Sequence, residues 1–220
     1  MFRSVILFAC GFIFSVITSA GFGEPAARTI LVLGDSISAG YGLNVEQGWV
    51  SLLRKRLLQE GYGYRLVNAS VSGETTTGGL ARLPRALGLN QPTIVIIELG
   101  GNDGLRGLPL ATTRTNLDHL VTVSQQAHAK VLLLGMRMPP NYGPRYTEEF
   151  SRSYRELAAR RKLAFVAFLL DGVALNPALM QPDGLHPNAN GQPMLLDTIW
   201  AKLLPLLGKP TQLPEAAPTR

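Results

Sequence analysis

Cysteine is almost absent from this chain, and that absence narrows the chemistry first. Its single cysteine, Cys10, lies in the N-terminal apolar stretch. A chain cleaved after that stretch would have no intramolecular disulfide, no cysteine nucleophile and no thiolate metal site. Histidine is scarce too: His119, His128 and His186 are the only three, and none belongs to an HExxH or other paired metal spacing, so a zinc hydrolase is excluded. No metal or cofactor is expected. Lys/Arg runs never exceed three residues, and no basic stripe is interleaved with aromatics. The formal charge of +6 therefore does not imply a nucleic-acid partner. At most it implies weak attraction to anionic substrates such as phosphorylated thioesters or lipid head groups.

A membrane-spanning apolar run is also missing. Val5–Thr18 is nearly all apolar and follows Arg3, the only charge in the first 20 residues, but it is shorter than the ~20 residues a spanning helix needs. With small residues at Thr18-Ser19-Ala20, residues 1–20 read as a cleaved export signal, with a retained anchor as the alternative. Cys10 faintly echoes a lipoprotein site but lies too early, inside the apolar core. A periplasmic or secreted location is expected. Gly208–Arg220 carries three prolines and reads as a disordered tail. A length of 220 residues suits one domain.

What is present is a regular alternation. Apolar, mostly continuous runs at Thr29–Leu33, Arg65–Asn68, Thr93–Leu99, Lys130–Met136 and Leu163–Phe168 read as strands covered on both faces. Helical patterns occupy Trp49–Glu60, Thr76–Leu87, Thr112–Ala129, Glu148–Lys162 and Gly191–Leu207. Parallel neighbours need crossover connections, so the expectation is an α/β fold. Its form would be a three-layer, doubly wound, flavodoxin-like sandwich with a five-stranded parallel sheet.

In such sheets ligands bind beyond the C-terminal strand ends. Ser36, in Gly34-Asp35-Ser36, follows the first strand; Gly73 follows the second and Asn102 the third. Asp183-Gly184-Leu185-His186-Pro187 precedes the last helix. Ser36, His186 and Asp183 are the side-chain types that turn a weak hydroxyl into a nucleophile, and a three-residue spacing lets Asp183 accept from His186 Nδ1. Gly73 N–H and the Asn102 amide are suited to bind an oxyanion. Each segment also has a plain reading as a turn: Asp35 or Ser36 as a helix cap, Asp-Gly and His-Pro as loop closers, Gly100-Gly101 as a glycine-rich bend. The motif is not a G-x-S-x-G elbow, because position 38 is serine. His119 and His128 share one helical pattern without a serine partner and read as ordinary surface histidines.

In this order and after successive strands, the segments resemble the SGNH (GDSL-type) hydrolase family. The resemblance covers a catalytic domain at residues 28–207. It implies Ser36 as nucleophile, His186 as base, Asp183 as triad acid, and an oxyanion hole from the Ser36 and Gly73 N–H groups with Asn102. Ile37 departs from the leucine of the family's short name, a volume-conserving change. Gly34–Tyr41, Gly100–Gly107 and Pro140–Gly143 resemble its bacterial thioesterase/lysophospholipase/arylesterase branch. That resemblance implies an acyl ester or thioester as the small-molecule partner. A monomer in transient contact with membrane lipids is expected.

For substrate binding, Leu105, Arg106, Gly107 and Leu108 are expected in a flap hinged at Gly104 and Gly107. Met136 and Arg137, with Met138, are expected to line an adaptable pocket. Two readings compete: a carbohydrate acetylesterase of the same family, and a non-catalytic binding module cradling phosphate on the Gly34 loop.

Overall fold

In the computed structural model, residues 28–210 are described; the expected signal at residues 1–20 and most of the expected tail, 211–220, lie outside them. The chain runs β1 (Arg28–Gly34), α1 (Ser36–Ala39), α2 (Trp49–Gln59), β2 (Tyr64–Asn68), α3 (Thr76–Asn90), β3 (Ile94–Glu98), α4 (Gly101–Leu105) and α5 (Leu110–Gln126). It continues through β4 (Lys130–Leu134), α6 (Pro144–Arg161), β5 (Ala164–Val166) and α7 (Gln192–Leu203). All five strands are parallel, in the order β2-β1-β3-β4-β5. Helix α2 packs with α7, and α3 with α5 and then α6, so both faces of the sheet are covered.

The apolar runs explain the centre of the sheet. Ile30–Leu33, Val95–Ile97 and Leu132–Leu134 have no exposed surface, which is why those strands lack polar alternation. In α2 the stripe Val50, Leu53 and Leu57 is buried, while Leu58, one step off it, is 62% exposed. Among the described residues no helix is long and apolar enough to cross a membrane.

The main departures from expectation are short helices at strand ends. Strand β4 stops at Leu134, two residues before the expected end, so Met136–Met138 form a loop at the sheet edge. Helices α1 and α4, of four and five residues, are too brief for a periodic signal. The expected flap is therefore mostly ordered: Leu105 closes α4, Gly107 turns the chain at φ +63°, and Pro109 caps α5. Leu108 N–H donates to Asp103 carbonyl at 2.9 Å, and Tyr142 hydroxyl to Leu105 carbonyl at 3.0 Å.

Connections from β1 wind one way to β2 and, through α3, back across to β3. The winding reverses between β1 and β3, and in doubly wound sheets that crevice is where ligands sit. Ser36 and Asn102 follow those two strand ends directly.

Candidate active site

Asp35 ends the turn after β1 and does what a helix cap does: its Oδ1 accepts from Ile37 N–H at 3.0 Å. That cap starts α1 and places Ser36 at its first position. The cap of Gly-Asp-Ser is thus Asp35, and the hydroxyl of the adjacent Ser36 takes no part in it. Gly34 is needed for space, rather than for a bend as its place before a turn suggests. It is the last strand residue, and an added Cβ would lie 2.7 Å from Glu98 Oε2 and from Ser38 Oγ.

The distant loop supplies the rest. His186 Nε2 lies 2.8 Å from Ser36 Oγ, and His186 Nδ1 lies 2.7 Å from Asp183 Oδ2. Asp183 Oδ1 accepts from the Leu185 and His186 N–H groups at 2.9 and 3.0 Å. Partial burial works to raise the Asp183 carboxyl, but the His186 ring and these N–H donors outweigh it and hold it at about 2. It is therefore an anion at neutral pH. With Asp183 fixing Nδ1 as the protonated nitrogen, Nε2 is left to accept the serine proton. The Tyr41 ring packs 4.7 Å from the imidazole at a tilt of 41°, limiting its rotation.

Opposite Ser36, Asn102 Nδ2 donates to Asp35 Oδ2 and to Glu74 carbonyl, both at 3.0 Å. Gly73 adopts φ +77°, a left-handed conformation that side-chain-bearing residues resist. Neither the Ser36 nor the Gly73 N–H donates to an acceptor among the described residues. Two backbone donors and a carboxamide thus belong to residues that line one cleft with the Ser36 hydroxyl, a set suited to bind an oxyanion.

These groups open into a cleft of about 610 Å³. Its walls are Ile37, Leu105, Met136, Met138, Phe168, Leu170, Leu175 and Met180, and Arg137 stands at its edge with its guanidinium 5.0 Å from the Phe168 ring centre. Of the residues expected to contact substrate, Leu105, Met136 and Arg137 line the cleft, but Arg106, Gly107 and Leu108 do not. Arg106 turns the other way and donates to Gly73 carbonyl at 2.8 Å. It braces the glycine turn, because the turn from α4 brings its guanidinium over that loop. His119 and His128, within and just after α5, are absent from the cleft.

A model of the GDSL-like lipase/acylhydrolase family matches residues 32–193. The chain belongs to that family. It is 55% identical over 184 residues to esterase TesA of Pseudomonas aeruginosa, spanning 84% of this chain and 92% of that protein. It is 41% identical over 206 residues to thioesterase 1/protease 1/lysophospholipase L1 of Escherichia coli K12, spanning 94% and 97%. The crystal structure of TesA superimposes with a TM-score of 0.80 at 56% identity, over 82% of this chain and all of that one.

Some cleft and support residues went unseen in the sequence. Phe168–Met180 supplies one wall from a stretch with little regular structure, which carries no periodic signal. Glu98 did leave a signal: a lone acid inside the apolar run Ile94–Leu99, where a buried charge is costly without a partner.

Proposed function

We propose that this chain is a serine esterase/thioesterase that hydrolyses acyl esters and thioesters through an acyl-enzyme. The observation that carries the reading is the Asp183–His186–Ser36 relay, at 2.7 and 2.8 Å, opening onto an apolar cleft. Ser36 Oγ attacks the carbonyl carbon as its proton passes to His186 Nε2. The tetrahedral oxyanion is held by the Ser36 and Gly73 N–H groups and by Asn102. An oxyanion is a stronger acceptor than a peptide carbonyl, so it competes with Glu74 carbonyl for the Asn102 donor. His186 then protonates the leaving alcohol or thiol. A water, deprotonated by the same imidazole, releases the acid and restores Ser36.

The methionine- and leucine-lined cleft suits an acyl chain, and the names of the relatives (esterase, thioesterase, lysophospholipase) support that class. Arg137 at the rim suits an anionic head group. Residues 28–207 form the catalytic domain. Residues 1–20 direct export to the periplasm or beyond, where the enzyme works as a monomer meeting lipid transiently.

The test is p-nitrophenyl ester hydrolysis across acyl lengths by the wild type and Ser36→Ala. Serine-dependent turnover persisting to long chains is expected. Activity confined to acetate would point instead to an acetylesterase, and serine-independent turnover would overturn the mechanism.

A further inference from the structure

One buried acid has no part in the relay. Glu98, the last residue of β3, has no exposed surface. Its Oε2 accepts from the Asp35 N–H at 3.1 Å and from Ser38 hydroxyl at 2.7 Å, whereas its Oε1 meets no donor among the described residues. Asp35, across the β1–β3 pairing, is only 3% exposed, and each of its carboxyl oxygens already accepts one hydrogen bond, from Ile37 N–H and from Asn102. No lysine or arginine pairs with either carboxyl among the described residues. The other titratable groups that interact with the pair are Tyr154 of α6 and His186.

Two adjacent buried carboxyls without a cation cannot both be ionised. The donors decide where the proton sits. Asp35 has one for each oxygen, as a carboxylate needs, while Glu98 has both on one oxygen and leaves Oε1 free to carry a hydrogen. Burial, and next the Asp35 charge, push the Glu98 carboxyl well up.

We propose that Glu98 is a positioning residue, a neutral carboxylic acid that hydrogen-bonds to the Asp35 carboxylate and so fixes the Asn102 amide facing Ser36. The chain of contact is Glu98, Asp35, Asn102. A charge on Glu98 would repel Asp35 and loosen the anchor of the oxyanion donor. The inference rests on the reading of Asn102 as that donor, but its first test does not use activity.

That test is the infrared difference spectrum of wild type minus Glu98→Gln at neutral pH. The expected result is the carbonyl stretch of a protonated carboxylic acid, shifted in D2O; loss of carboxylate bands alone overturns the proposal. Glu98→Gln replaces the O–H donor with N–H and should keep kcat within about threefold, since a hydrogen bond to Asp35 survives. Glu98→Leu should lower kcat by about tenfold or more with KM little changed, part of the ~100- to 1000-fold that losing an oxyanion donor costs. In an Asn102→Ala background it should cost less than about twofold more, because coupled residues are not additive. A full multiplicative loss there overturns the positioning role. If Glu98→Leu does not fold, the infrared band and the Glu98→Gln kinetics decide. Absence of Ser36-dependent turnover sinks the esterase reading and leaves the band in place; absence of the band sinks this proposal with turnover intact.

Discussion

At the scale of single residues, this site uses small groups held by several bonds each. Asn102 touches both Asp35 and Glu74, so its amide is oriented before any substrate arrives. Preorganised donors of this kind act mainly on the transition state. Asn102→Ala should therefore lower kcat by roughly 100- to 1000-fold, about 2.7–4 kcal/mol, with little change in KM. Steady-state kinetics on a short aryl ester would check this, and a loss confined to KM would count against the assignment. Gly34 makes a second case. Its missing side chain is the space in which Glu98 and Ser38 meet, so Gly34→Ala should destabilise the fold by about 1–3 kcal/mol, as overpacking does. A denaturant titration measures it; unchanged stability would mean that the Glu98 and Ser38 side chains can move aside.

At the scale of elements, charged side chains tie helices together. Asp103 of α4 is 1% exposed and accepts from Thr76 N–H at 2.9 Å and from Thr76 hydroxyl. It thereby caps the N-terminus of α3 from another element. Asp103→Ala leaves those donors buried and unpaired, and should cost about 2–3 kcal/mol. Asp118 of α5 meets Arg161 of α6 through both carboxylate oxygens at 3.0 and 2.6 Å and Arg160 at 2.9 Å. The Arg161 hydrogen bonds foremost hold the Asp118 carboxyl down at about 2, below the ordinary 3.8. Because the folded value is the lower one, this stabilisation is present above about pH 4 and is lost as pH falls through about 2. Asp118→Asn should lower stability by about 1 kcal/mol at neutral pH, and the gap to wild type should close toward pH 2. Melting temperatures across that window would show it.

For the whole molecule, acid should stop turnover before it unfolds the chain. As the proposed base, His186 must be neutral to accept the Ser36 proton, while Asp183, held at about 2, stays ionised throughout the acid limb. kcat/KM should therefore fall as pH drops into the acid range. A flat pH–rate profile from mildly acidic to mildly alkaline conditions would count against His186 as base. The cleft is also a property of the whole, because the segments that follow β1, β2, β3, β4 and β5 each provide part of its wall. Ala174→Phe narrows one side, far in sequence from Ser36. It should depress hydrolysis of long-chain esters relative to butyrate, while the short ester turns over as before.

The architecture was legible from local pattern alone. Runs such as Ile94–Ile97 have no polar alternation because both faces of the strand are covered, and that burial is written residue by residue. The candidate site was legible for a related reason: a serine, a glycine, an asparagine and a histidine each follow or precede a recognisable element, and α/β connectivity sends strand ends to one edge. What only the tertiary structure decided are relations between residues far apart in the chain. Arg106 turned out to brace Gly73 instead of facing substrate, Glu98 met Asp35 across the β1–β3 pairing, and Phe168–Met180 became a cleft wall. Periodicity reports whether a side chain is buried. Which partner it is buried against depends on how the crossovers lay the strands side by side, and no local stretch of sequence carries that information.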